Sequence, residues 1–402
     1  VNTVRPATPT DARAVPAALL IAAILLLALN LRGPLVAVSA VVDPIRADLG
    51  IDAATVGLFT SLPVLCFGLA APLASALLAR TGTGRGVLVA LAVLLVGIVV
   101  RSLGGLPAAI AGTLLLGLAI TTANIAVPVV IGRDLRGHAS AILGAYTATL
   151  NVGSMLSLTL TVPIAAATGW RAALASWGVL VVVAAALWWH ATRRPRIEPA
   201  AGTTAPAGAP ASSWRQPAAW GLTAAFAGQS FAYYGVTAWL PQLLRDELGM
   251  PAAGAGAASS VFQIAALGGA FGVPVLLRYG RARTTVLVVC AAWVTLPLGL
   301  LLAPHLWALW CVLGGAAQGG GLTVIFSLVV RVARDEAENR RFSALVQGGG
   351  YTVAAAGPPV IGAVHAATGG WTAPLLVVVA AIALLATAAT AVAVGQRASR
   401  AA

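Results

Sequence analysis

Apolar residues run in long stretches separated by short polar gaps, near positions 17–41, 54–78, 86–103, 107–131, 139–163, 171–190, 217–243, 255–278, 284–303, 306–330, 342–366 and 372–395. Each is long enough to cross about 30 Å of hydrocarbon as a helix rising about 1.5 Å per residue. One long polar segment interrupts the series, from Ala191 to Gln216, rich in Pro, Ala, Gly and Thr, and it reads as a flexible linker between two halves. The pattern predicts an all-α membrane protein, with twelve transmembrane helices in two pseudo-symmetric six-helix bundles. The expected boundaries are a tail at 1–15, a first bundle at 16–191, a linker at 192–216, a second bundle at 217–396 and a tail at 397–402.

Composition agrees with that solvent. Of 402 residues, 59% are hydrophobic and 9% charged, and the mean hydropathy is +0.94, which excludes an ordinary soluble enzyme. A net charge of +13 is common in proteins that bind nucleic acid. Here, however, all 24 basic residues are arginine and nearly all lie in the gaps between apolar runs, as topology signals do. With both termini on one side, nineteen arginines fall on that side, and four (Arg46, Arg101, Arg171 and Arg245) fall in loops on the other, so the rich side is expected to be cytoplasmic. The first apolar run is too long for a signal-peptide core and is expected to be retained. Cys66, Cys290 and Cys311 sit in apolar runs with neither paired spacing nor nearby histidines, and read as structural thiols rather than a disulfide or metal set.

The halves resemble one another. Arg80-Thr81-Gly82 after the second run answers to Arg278-Tyr279-Gly280 after the eighth, and Ser140-Ala141 with Tyr146-Thr147 in the fifth answers to Ser343-Ala344 with Tyr351-Thr352 in the eleventh. Arg133-Asp134 and Arg334-Asp335 end the fourth and tenth. Duplication of a six-helix unit is a common way to build a transporter. Gly319-Gly320-Gly321 reads either as close helix packing or as a hinge.

A strongly polar side chain in hydrocarbon is costly, so it should face a cavity or another helix. Asn30, Arg32, Asn124, Tyr146, Asn151, Gln229, Tyr233, Tyr234, Gln263, Gln318, Gln347 and Tyr351 lie in mid-run, whereas the third, sixth, ninth and twelfth runs carry no such residue. Every third helix is therefore expected at the periphery, with eight around a central cavity. Arg32 is the expected anchor for a carboxylate-like or strongly dipolar cargo, because its planar fork of donors matches such groups. Asn30 lies two residues away, on roughly the opposite helix face. Gln229 with Tyr233, and Gln347 with Tyr351, are four apart and share a face; each pair serves either a ligand or a neutral bond between helices. Asn124, Tyr146 and Gln263 complete the expected substrate-binding set, Arg80 and Arg278 are the expected gating residues, and Trp239 is read as an interfacial anchor. No acidic residue or histidine falls in mid-run, so no buried proton relay is visible, and no phosphate-cradling loop or clustered nucleophile, base and acid is present for an enzyme.

Several stretches then carry a family resemblance in register over most of the chain. Asn30 to Pro34 (NLRGP), Leu62 to Gly68 (LPVLCFG), TANIAVP around Asn124, TGWR ending at Arg171, Gln229 to Pro241 and Gln347 to Pro359 resemble the cyanate and nitroimidazole transporter branch of the major facilitator superfamily. The resemblance implies alternating access around a midplane site and a small polar or anionic solute. The loop after the second run departs from the family pattern, with Ala79 where an acidic residue is usual. The resulting expectation is a monomeric multi-pass carrier of the cytoplasmic membrane, with lipid and a small-molecule substrate as its partners and no cofactor, metal or nucleic acid. The competing readings are a broad-range drug exporter, a channel and a non-transporting sensor.

Overall fold

The structure, a computed structural model, describes residues 17–135, 139–193, 216–333 and 336–401. The expected tail at 1–15 and most of the expected linker lie outside the described residues. Within them the chain is helical, in the order α1 (Ala17–Val36), α2 (Val42–Leu49), α3 (Ala53–Leu69), α4 (Ala71–Leu103), α5 (Leu106–Asp134), α6 (Ala139–Thr168), α7 (Trp170–Thr192), α8 (Pro217–Leu248), α9 (Ala252–Tyr279), α10 (Ala282–Leu302), α11 (Trp307–Val332), α12 (Glu336–Ala354), α13 (Gly357–Thr368) and α14 (Thr372–Ala401). A 3-10 segment, Ala37–Val41, joins α1 to α2. The helix α14 runs to Ala401, past the expected end of the second bundle at 396.

Nine helical segments among the described residues are long and apolar enough to span a bilayer. The other three spans are the seventh, α8, and two that are broken in the middle. The second is made of α3 and the first arm of α4, and the eleventh of α12 and α13. All three pack at the interface between the halves, where polar side chains and helix breaks are covered by protein rather than lipid. The helix α4 holds parts of two spans because the chain reverses at Gly82, whose φ of 75° and ψ of 159° suit only glycine.

The duplication read from short motifs is present in the packing. In the first half α1 packs on α6 and α7, α4 on α5 and α7, and α3 on α5. In the second half α8 packs on α12 and α14, α10 on α11 and α14, and α9 on α11, which is the same set of neighbours span for span. Spans three, six, nine and twelve turn apolar side chains such as Val96, Val182, Val288 and Leu384 outward. Inside each half, small residues bring helices together where the hydrophobic effect cannot. A Cβ at Gly319 would overlap the Ala266 carbonyl, and α11 runs unbroken through Gly319-Gly320-Gly321, so this run is a packing surface and not a hinge in this conformation.

The halves meet at the end remote from the arginine-rich loops. There α3 packs on α13, with Gly57 against Pro358 and Pro359, and α6 packs on α9, with Thr159 and Ser260 hydroxyls 3.3 Å apart. Arg245 of the second half pairs with Asp43 of the first at 2.6 Å. At the arginine-rich end the halves separate.

Candidate functional site

A cavity of about 1030 Å³ fills that separation. It runs from Leu35 and Arg32 of α1, near mid-membrane, past Tyr234, Asn124, Tyr146, Gln347 and Tyr351, to Ala76 and Ala79 at the arginine-rich end. Arg32 lies fifteen residues from Ala17, about 22 Å along the helix, so the cavity reaches roughly the centre of the bilayer. Among the described residues that line it there is no Asp, Glu, Lys or His, and Arg32 is the one formal charge among them.

Arg32 is held across the interface between the halves. Its Nη1 donates to the Tyr233 hydroxyl at 2.6 Å, and the guanidinium carbon lies 5.1 Å from the Tyr233 ring centre. Tyr233 donates in turn to Gln263 Oε1 at 3.2 Å, and Gln263 Nε2 donates to the Thr237 hydroxyl at 3.1 Å. Tyr233, Gln263 and Thr237 are buried, so the relay has a rigid base while part of the guanidinium faces the cavity. The relay is possible because Tyr233 and Thr237 are one helical turn apart on α8 and Gln263 faces them from α9.

On the first-half wall, the Tyr146 hydroxyl donates to Asn124 Oδ1 at 2.8 Å, and both residues line the cavity. On the second-half wall, Gln347, Tyr351 and Tyr234 line the cavity, and their side-chain polar atoms make no hydrogen bond to another described residue. The rings form a continuous cluster. Tyr351 stands edge-on to Phe67 and Phe226 at 5.5 and 4.9 Å, and Tyr234 lies 4.9 Å from Tyr233 and 6.4 Å from Tyr351. Such a site offers a flat apolar wall with one cation and several neutral donors and acceptors above it, and no anion to repel a negatively charged solute.

The expected site residues therefore divide. Arg32, Asn124, Tyr146, Gln347 and Tyr351 share the cavity, while Tyr233 and Gln263 stand behind it as the support of Arg32. Asn30 turns away and donates to the Leu26 and Leu180 carbonyls, tying α1 to α7. Gln229 is a bracket inside the second half. Its Nε2 donates to the Gln318 carbonyl at 2.8 Å, and its Oε1 accepts from Trp293 Nε1 at 3.0 Å. Both corrections have one cause: a polar side chain on the inner face of a bundle can be satisfied by the next helix as well as by a cavity. Arg80 and Arg278 are exposed at the arginine-rich end, Arg278 lying over the Tyr279 ring.

Three residues were misplaced or passed over. Tyr234, adjacent to Tyr233 but about 100° round the helix, is the one of that pair that lines the cavity. Trp239, expected at a membrane interface, is 2% exposed and donates to the Pro358 carbonyl at 2.7 Å, so it clamps α8 to α13. Arg101, expected in a loop, lies in the last turn of α4, is 2% exposed, and donates through Nη1 to the Pro34 carbonyl at 2.9 Å. Arg101 is thus a buried helical arginine rather than a loop charge.

Two six-helix halves around a midplane cavity open at one end define a membrane transporter. A model of the Major Facilitator Superfamily matches residues 18–313, and the chain belongs to that family. It is 31% identical over 368 residues to the uncharacterized transporter YycB of Bacillus subtilis (strain 168), with 90% of each chain covered. To the 2-nitroimidazole transporter of Escherichia coli (strain K12) it is 30% identical over 366 residues, covering 89% of this chain and 91% of that one. The cyanate transport protein CynX of the same organism is 26% identical over 357 residues, covering 87% and 90%. Among solved structures, a bacterial homolog of the human lysosomal transporter Spinster, inward-facing and unoccupied, superposes with a TM-score of 0.74 over 96% of this chain and 98% of that one at 16% identity. The branch resemblance carried by the sequence motifs agrees with these relatives.

Proposed function

We propose that this transporter moves a small, planar, polar or anionic organic solute by alternating access, with Arg32 as the anchor for its negative or oxygen-bearing group. The observation that carries this reading is the combination of a single guanidinium at the apex of the cavity and the absence of any carboxylate among the described residues that line it. Asn124, Gln347 and the tyrosine hydroxyls supply orientation, and the rings of Phe67, Tyr234 and Tyr351 supply a face for an unsaturated or aromatic body. The relatives named for 2-nitroimidazole and cyanate point the same way, since the first solute is small, flat and strongly dipolar and the second is a small linear anion.

The arginine excess supports a cytoplasmic side for the open end, both termini and the linker, and the bacterial relatives favour the inner membrane. One chain holds both halves and acts as a monomer. By position alone, Arg80 and Arg278 are assigned to the cytoplasmic gate. The aromatic wall favours a second reading, a broad-range exporter of hydrophobic compounds. Thermal-shift measurements on purified protein with benzoate, 2-nitroimidazole, cyanate and an uncharged aromatic amide separate the two. Stabilisation by the anionic or nitro compounds, abolished in Arg32→Ala, supports the proposal, whereas equal stabilisation by the uncharged amide in parent and variant supports the exporter.

A further inference from the structure

Arg101 has no part in the cavity, yet it is a guanidinium only 2% exposed. A guanidinium taken out of water costs several kcal/mol unless its donors are paired, and buried polar groups in proteins are nearly always satisfied. Only Nη1 of Arg101 has an acceptor; Nε and Nη2 are buried without one. The partner it does have, the Pro34 carbonyl, lies where α1 gives way to the 3-10 segment, two residues beyond Arg32.

Other unpaired atoms collect around the same segment. Eight buried side-chain atoms among the described residues lack a hydrogen-bond partner, and Arg101 supplies two of them. Ser39 lies in the 3-10 segment and Arg46 in α2. Ser157 packs against Gly33, and Gln242 comes from α8, which packs on the 3-10 segment. Thus five of the eight belong to or border the stretch from Gly33 to Arg46, a sixth comes from a helix that packs on it, and Asn151 and Thr390 supply the rest. The same stretch carries Asp43, whose pair with Arg245 crosses to the second half. Frustration gathered on one element marks a part of the fold with a second arrangement.

We propose that Arg101 is a positioning residue for the outer gate. Its bond to Pro34 sets the point about which the segment 37–49 swings, and its unpaired donors destabilise the closed arrangement enough for the gate to open. The proposal rests on alternating access but not on the identity of the cargo or on the role of Arg32.

The test replaces the guanidinium with an apolar side chain of similar length, Arg101→Met, since such a replacement of a buried ion is often neutral or stabilising when the ion is poorly paired. Spin labels at Ala47→Cys in α2 and Glu247→Cys at the end of α8, both exposed, report the gap across the outer end in a background in which Cys66, Cys290 and Cys311 are replaced by alanine. Without any added solute, Arg101→Met is expected to reduce the long-distance population at least threefold and to raise the melting temperature by about 2–4 °C. Arg101→Lys, which keeps a cation with fewer donors, should fall between parent and Met in both readouts. A melting temperature lowered in Arg101→Met would make Arg101 a plain structural tie and overturn the proposal. So would an unchanged distance distribution.

Discussion

Substituting Tyr233→Phe removes one oxygen that serves two partners, and the structure fixes what each then loses. Arg32 gives up a charge-assisted bond but can turn its Nη1 to the cavity, so its loss is small. Gln263 cannot turn, because it is 0% exposed and its amide nitrogen is already committed to Thr237. Its Oε1 becomes a buried acceptor without a donor, a penalty of about 1–3 kcal/mol. Removing the second partner as well, in Tyr233→Phe with Gln263→Leu, deletes the unsatisfied acceptor and should recover most of that loss, since Thr237 can bond back to a carbonyl of its own helix. A double-mutant cycle measured by reversible unfolding in mixed micelles is therefore expected to show a coupling of about 1–2 kcal/mol between the two positions. Strict additivity, or a single-variant loss below about 0.5 kcal/mol, would refute the relay as the rigid base of Arg32.

Three other outcomes are expected. Gly82→Ala forces a side chain into a backbone conformation that glycine alone tolerates, and should cost about 1–3 kcal/mol in the same unfolding assay. Asp43→Asn removes an ion pair whose members are 49% and 20% exposed, a contribution of at most about 1 kcal/mol; the outer end should open up to about fivefold more often by spin-label distances, and the swap of Asp43→Arg with Arg245→Asp should restore the parent distribution. Gln229→Leu leaves Trp293 without its acceptor and should lower stability by about 1–3 kcal/mol, while the KM for uptake stays at the parent value because Gln229 does not reach the cavity.

The architecture was readable because the bilayer imposes one rule on every span, so run lengths and the absence of polar residues from every third run carried it. The cavity was readable in part. Arg32, Asn124, Tyr146, Gln347 and Tyr351 were found because they are polar where lipid forbids it, but the same rule selected Asn30 and Gln229, which neighbouring helices satisfy. Helix periodicity gives a face and not the identity of what lies opposite, which is why Tyr233 was chosen over Tyr234. Arg101 was missed because it stands three residues before Gly104-Gly105, where an arginine reads as a loop charge; only the close approach of α5, with Gly112 against the Arg101 backbone, reveals that this turn is covered.

The central claim is the proposal that Arg32 holds the cargo, as the one charge among the described residues lining the cavity. It is tested most directly by saturation uptake of radiolabelled 2-nitroimidazole and benzoate into proteoliposomes containing the parent, Arg32→Lys or Arg32→Ala. The account predicts that at least one solute is carried, with KM raised about tenfold or more in Arg32→Ala, as loss of roughly 1.4 kcal/mol or more of ion-dipole or ion-pair binding requires, and with a smaller rise in Arg32→Lys. Uptake in both variants with the parent KM and rate would contradict it.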